Sequence, residues 1–414
     1  MSAREGLTGE RQYESPCAMK RGKTGLRMKR NLWLILLFSL FAGNAAGRER
    51  DAEPIVKQMA LVNEAFMSRW PIAGDSIRIK GKRPSNIWTR SVYMEGLLAL
   101  NEVYPQEEYV GYAMDWAVAN LWGFNGGPHT RNADNQCCAQ VYIDLFRLHG
   151  DSLTLGKTER MLNNVVNSTQ RNDWWWIDAL QMAMPVYAKM GSVKHDLRYF
   201  HTMMELYDYT KNEISQVGLF NPVDGLWWRD ADFIPPYKEP NGMNCYWSRG
   251  NGWVFVALAR TLEEIERAES SFPSHERAEL AHTRDVLAHD FVTMAWALKE
   301  CQREDGFWNC SLMDEYHYGG PEATGTSLFV CGMAWGIRKG ILSSDVFGPA
   351  VQKAWHALSE EAVRPDGTLA YVQGTGKEPK DGQPVSYDSQ PDFDDFGVGC
   401  FLLAGAEMAK LANQ

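Results

Sequence analysis

The sequence predicts an all-α chain closed into an (α/α)6 barrel, a double toroid of six inner and six outer helices. Three observations predict it. One pattern recurs six times: a loop rich in Gly, Asn or Asp, then an apolar helix with small residues, then a charged exit. Amphipathic stretches with one wet face lie between the copies. Strand-like alternation is scarce. Helices that are apolar all round must be buried on both sides, which a ring of six sheathed by a second ring provides.

In chain order, residues 1–46 read as a leader. The stretch "MKRNLWLILLFSLFAGNAAG" (28–47) has Lys29 and Arg30, an apolar run from Leu32 to Ala42, and small residues to Gly47. That is the pattern of a cleaved signal peptide, with Met28 as the expected start. The run is short for a bilayer span, which needs about 20 residues. The chain is therefore expected to be exported, to a bacterial periplasm or outside the cell, with no lasting membrane insertion. Residues 47–414 read as a single barrel domain, because no linker divides them.

The first inner copy is "WTRSVYMEGLLALNEVY" (88–104), followed by the outer stretch "EEYVGYAMDWAVANLW" (107–122). "NADNQCCAQVYIDLFRLHG" (132–150) and "WWWIDALQMAMPVYAKMG" (174–191) come next, with "LRYFHTMMELYDYTKNEI" (197–214) outside them. "WSRGNGWVFVALARTLEEIE" (247–266) precedes the long outer stretch at 276–302. "EATGTSLFVCGMAWGIRKGIL" (322–342), the outer "PAVQKAWHALSEEAV" (349–363) and "DDFGVGCFLLAGAEMAKL" (394–411) complete the ring. The loops before the inner helices share one face and are rich in polar and aromatic groups, so that face is the expected cleft.

The 414 residues carry a formal charge of −10. This excludes the electrostatic footprint of a nucleic-acid binder. Eight cysteines show no CxxC spacing and are expected to be small buried hydrophobes rather than a disulfide framework. HExxH, GxSxG and Walker patterns are absent.

On the rim, Asp178 heads its inner helix beside Trp174, Trp175 and Trp176. It is either a first-turn acid favoured by the helix dipole or a general acid whose pKa is raised by those rings. Asp134 heads the preceding inner helix with the same two possibilities. Together the two resemble a paired-carboxylate site. Trp247, Arg249 and Trp253 in "YWSRGNGW" offer a guanidinium fork for a carboxylate and two rings for sugar faces. Alternatively they are a packed aromatic helix start. His129 and His317 lie in rim loops, and His129 is placed with the substrate-binding set.

The stretches "TRNADNQCCAQVYIDL", "WWWIDALQMAMPVYAKMG", "GLWWRD", "YWSRGNGWVFVALARTLEEI" and "DFGVGCFLLAGAEMAKL" resemble the unsaturated glucuronyl and rhamnogalacturonyl hydrolases, glycoside hydrolase families 88 and 105, in family order over about residues 55–411. The resemblance implies an (α/α)6 barrel that removes a 4,5-unsaturated uronic acid from the non-reducing end of lyase products, without metal or organic cofactor. It implies that an Asp protonates C4 while water adds at C5, and that the resulting hemiketal opens. It puts Asp178 in the acid/base role and Asp134 in the assisting role. Trp247, Arg249 and Trp253 line the sugar pocket, with Trp88 and Trp176 as further aromatics. The family often has His where "GLWWRDADF" has Arg229, and an arginine there would favour a sulfated or otherwise anionic neighbouring sugar. An ordinary two-carboxylate glycosidase, a glycan-binding protein and a polysaccharide lyase are the competing readings.

Overall fold

In a computed structural model, residues 52–414 are described; the expected leader, signal peptide and Met28 start lie outside them. The described chain opens on helix α1 over 52–69. A tight ribbon follows, β1 (Ile77–Arg78) against β2 (Lys82–Arg83). Then come α2 (Trp88–Val103), α3 (Glu107–Ala119), the single turn α4 (Ala133–Gln136) and α5 (Cys138–His149). α6 (Gly156–Val166), α7 (Asp178–Lys194) and α8 (Leu197–Asp208) lead to a second ribbon, β3 (Phe220–Asn221) with β4 (Leu226–Trp227). α9 (Ser248–Glu269), α10 (Ser274–Glu300), α11 (Ala323–Arg338), α12 (Ser344–Ala357) and α13 (Asp395–Ala412) complete the order.

The inner ring is α2, α4–α5, α7, α9, α11 and α13. Each packs on the next, and α13 packs back on α2, so the ring closes. α3, α8, α10 and α12 pack outside their neighbours, and α6 lies against α8. Every residue of α7 from Asp178 to Gly191 is buried, as a helix covered on both sides requires. The seam between α2 and α13 depends on glycine. A Cβ on Gly399 would sit 2.3 Å from the Val92 carbonyl oxygen, and one on Gly96 would sit 2.6 Å from that of Gly399. Only glycine lets the two backbones approach this closely. Arg90 and Asp395 meet across the seam, Nε to Oδ2 at 3.7 Å, both buried.

Proline ties two inner helices together. Pro185 has no N–H to give the Gln181 carbonyl one turn earlier. That carbonyl instead accepts from Nε2 of Gln140 on α5 at 2.7 Å. The join links the helices whose starts carry Asp134 and Asp178.

The structure departs from expectation at several places. The outer helix at 156–166 is polar and was not singled out. The second inner helix is broken, with α4 and α5 meeting at Cys137. The outer stretch at 107–122 stops at Ala119, since Leu121 and Trp122 turn to positive φ. The seven described cysteines are free, six of them buried. Among the described residues no helix is long and apolar enough to cross a membrane.

Candidate active site

All six inner helices start on one face, and isolated backbone bridges stitch the loops there: Trp176 to Asp230, Trp247 to Ser311, Trp308 to Glu322. The first of these builds the entry to α7. The Ile177 N–H donates to the Arg229 carbonyl at 3.0 Å, so the tryptophan run is extended. Extended backbone alternates its side chains. Trp174 and Trp176 point into the core while Trp175 is 53% exposed. The same pairing delivers the Arg229 side chain to Asp178. Its Nε donates to Asp178 Oδ2 at 3.1 Å and its Nη1 to Asp230 Oδ2 at 2.6 Å.

Asp178 is the first residue of α7 and is 9% exposed. Burial raises its pKa, against the opposing charges of Arg229 and Arg249. Asp134 stands in α4, whose start is capped by the Asn132 side chain accepting from the Asn135 N–H. α4 packs on α7, and the two carboxyls are close enough to interact electrostatically. Asp134 is pushed up to about 7, first by burial and then by the Asp178 charge, with Arg229 and Arg83 opposing. Two like charges so close cannot both form cheaply, so the Asp178 charge adds to burial in favouring the protonated form of Asp134.

An aromatic floor lies beside the carboxyls. Half-buried Trp88, the first residue of α2, meets Trp253 edge-on at 6.2 Å and Phe396 at 5.2 Å. The Arg249 guanidinium lies over Trp247 at 4.6 Å and Phe396 at 5.1 Å.

Several expected roles are corrected by the geometry. Arg249 is 1% exposed and is not a free fork. Its Nη1 donates to the Gln373 carbonyl at 2.7 Å and its Nη2 to the Gly374 carbonyl at 2.8 Å. It latches the long loop before α13. Trp247 and Trp253 are fully buried and offer no sugar-stacking face; Trp247 Nε1 donates to Gln373 Oε1 at 2.8 Å. Trp176 is buried too, against the Trp175 ring at 4.6 Å, and the exposed ring is Trp175. Arg229 has two of its three nitrogens committed to Asp178 and Asp230, so it positions the acid rather than waiting for a sulfate. His129 is exposed and lines a cleft with α6 residues Gly156, Glu159 and Asn163, apart from the carboxyls. His317 Nδ1 is hydrogen-bonded to Glu239 Oε2 at 2.5 Å.

Sequence reasoning named Trp175 only as one of three rings beside Asp178, not as the exposed one, and it missed Gln373, Glu322 and Arg83. Glu322 caps α11, accepting from the Thr324 N–H at 2.9 Å and the Gly325 N–H at 2.6 Å. Glutamate is not among the preferred N-cap residues, so the sequence carried no cap signal there. Among the described residues no group of three His, Cys, Asp or Glu could hold a metal ion. A cavity of about 400 Å3 opens at the opposite face, at the C-terminal halves of the inner helices. Its charges are largely paired internally, as in Lys189 with Asp144 and Arg147 with Glu264.

The model of Glycosyl Hydrolase Family 88 matches residues 59–412. An unsaturated 3S-rhamnoglycuronyl hydrolase of Formosa agariphila is 29% identical over 342 residues, 78% of this chain and 84% of that protein. A solved structure of a glycosyl hydrolase family 88 protein from Bacteroides vulgatus is 29% identical at a TM-score of 0.76, covering 87% of this chain and 99% of that one. A second solved chain, named a polysaccharide lyase, is also 29% identical, at a TM-score of 0.75 over 86% of this chain and 97% of its own. The match runs from α1 to α13 and takes in both carboxyls and the whole closed ring, and on that ground this glycosidase belongs to Glycosyl Hydrolase Family 88.

Proposed function

We propose that the enzyme removes a 4,5-unsaturated uronic acid from the non-reducing end of lyase-generated oligosaccharides, and that unsaturated 3S-rhamnoglycuronyl oligosaccharides are the first substrates to test. The observation that carries this is the carboxyl pair of buried Asp178 and half-buried Asp134 at adjacent helix starts, where burial pushes both pKa values up and so keeps a carboxyl proton toward neutrality. Hydration of an enol ether needs one such proton. Asp178 gives it to C4, water attacks C5, and the water's proton returns to the carboxylate. The C5 hemiketal then opens and the glycosidic bond breaks with it. Arg229 holds the Asp178 carboxylate in place while it is charged. The exposed Trp175 ring, 6.0 Å from the Arg229 guanidinium, is available to the sugar beyond the bond that breaks.

The test is ultraviolet absorbance of the conjugated uronate. Loss of absorbance with release of a keto acid supports the reading. A rise on intact polysaccharide would make the protein a lyase, as one structural relative is named. Cleavage of saturated glycosides alone would make it an ordinary two-carboxylate glycosidase.

The coupling of the pair has a measurable pH signature. Asp134 titrates at about 7 in the folded chain, against about 3.9 unfolded. Between those values the unfolded chain releases a proton that the folded one keeps. Stability is therefore full at acid pH and falls as pH rises toward 7. Asp134→Asn removes the penalty, so its Tm gain over the wild type is expected to be larger at pH 8 than at pH 5. It also removes a like charge from Asp178, so the alkaline limb of kcat/KM moves to lower pH. Equal Tm gains at both pH values would show that the Asp134 pKa is not raised in the folded chain.

Export through the segment at 28–47 is part of the same proposal, since lyase products arise where polysaccharide is cut. N-terminal sequencing of the exported protein is expected to begin near Gly47; an intact leader on exported protein would contradict it.

A further inference from the structure

The β1–β2 ribbon and the residue that follows read "IRIKGKRP" (77–84), with Arg78, Lys80, Lys82 and Arg83 within six residues of an acidic protein. Such a cluster on a surface hairpin is ordinarily a solvated face. This one is fixed in place: Lys80 Nζ donates to the Gln390 carbonyl at 2.6 Å, holding the ribbon against the loop before α13. The chain then runs from Arg83 straight into Trp88 at the start of α2.

Arg83 is unlike the other arginines near the site. Arg249 has its carbonyls and Arg229 its carboxylates. Arg83 lies over the Phe393 ring at 4.0 Å and near the Trp88 ring at 5.8 Å. Among the described residues it has no hydrogen bond and no ion pair, and its Nη1 is buried without a partner. A buried guanidinium N–H left unmet costs stability and calls for an explanation. Asp134, Asp392 and Asp395 are the charges that act on it, none within ion-pair distance. The side chain as a whole is half-exposed, so an oxyanion arriving from the mouth of the ring would meet free donors and displace no internal partner.

We propose that Arg83 is a specificity-determining residue that receives an oxyanion of the substrate, a uronate carboxylate or a sulfate ester, against the Trp88 and Phe393 rings. The assignment rests on the proposed uronyl hydrolysis for its substrate class; Arg83 feels the Asp134 charge but makes no ion pair with it or with Asp178. A planar fork over an aromatic ring with open N–H groups is the form in which arginine reads carboxylates and sulfates. The ring contacts keep the fork oriented before the anion arrives.

Two readouts keep the assignment separable from the reaction. In the first, Arg83→Ala and Arg83→Lys are assayed by ultraviolet absorbance on sulfated and desulfated unsaturated disaccharides. Arg83→Ala is expected to raise KM by about tenfold, which is about 1.4 kcal/mol of binding, with kcat within about threefold and Tm equal to or above that of the wild type. Arg83→Lys is expected to recover part of the loss. A penalty on both substrates identifies the carboxylate; a penalty on the sulfated one alone identifies the sulfate. In the second, saturated glucuronate and inorganic sulfate are titrated without turnover against tryptophan fluorescence, to which Trp88 beside Arg83 contributes. At least one probe is expected to saturate in the wild type and to lose most of its affinity in Arg83→Ala. Wild-type turnover with Arg83→Ala kinetics and titrations unchanged overturns the proposal. No turnover on any unsaturated substrate, with an Arg83-dependent titration, overturns the hydrolysis and leaves the anion site standing. Failure of both probes to bind the wild type overturns the anion site.

Discussion

Asp178→Asn is expected to fold with a Tm equal to or above that of the wild type and to lose roughly 10²–10⁴-fold in kcat/KM, the range of a lost general acid–base. The carboxyl is buried at the head of α7, and burial already penalises its charge. An amide of the same shape accepts from Arg229 and carries no charge to desolvate, so folding does not suffer. It has no proton of usable acidity for C4, and chemistry stops. Circular dichroism melting alongside steady-state kinetics checks both halves. Activity within tenfold of wild type would remove Asp178 from the acid–base role and leave it a helix-start acid. Asp134 would then be the sole candidate in the pair.

Arg249→Ala is expected to have the second largest effect, and through a different route. The guanidinium satisfies the carbonyls of Gln373 and Gly374 from a site with 1% exposure. Deleting it leaves buried acceptors unmet at about 1–3 kcal/mol each, so a loss of about 3 kcal/mol and a clear fall in Tm are expected. Gln373 is the hub of this region. It accepts from Trp247, and its Nε2 donates to the Asp381 carbonyl at 2.7 Å. The loop at 373–382 should therefore become sensitive to limited proteolysis. Arg249→Lys should rescue little, because one ammonium does not reproduce a planar fork on two carbonyls. A variant with wild-type Tm and only a raised KM would instead mean that Arg249 releases the loop and binds substrate directly.

The legible part of this protein was what repeats locally. Runs such as "LQMAMPVYAKMG" are apolar on every side, and the pattern can be satisfied only by helices with neighbours all round. From that, the inner ring, its shared N-terminal face and the placement of Asp134 and Asp178 at adjacent helix starts could be read directly. The outer helix at 156–166 was not singled out because its sequence "GKTERMLNNVV" is mostly polar, with a narrow apolar stripe. The fate of Arg249 was illegible for a deeper reason. Its partners lie 124 and 125 residues away in the chain, and nothing near Arg249 says that a loop will come to it. Arg83 was overlooked because a two-residue ribbon has no periodicity to detect. The choice among Trp174, Trp175 and Trp176 was within reach. Three identical residues in a row look alike until the backbone is known to be extended, and then every second one must face out.

The glycine seam between α2 and α13 also governs how the ring can be assembled. Beside it Arg69, at the end of α1, reaches Asp394, 325 residues along the chain, and across it Gly96 meets Gly399. Neighbouring inner helices can pair as soon as each is made, but α2 must wait for α13 with one apolar flank open. Contacts of such separation repay their loop-closure entropy only at the end of folding, and a partly made ring exposes hydrophobic surface on the way. Closure is thus expected to be the slow, aggregation-exposed step. The two glycines bear on kinetics as much as on packing, because any side chain at either position would obstruct the last contact to form.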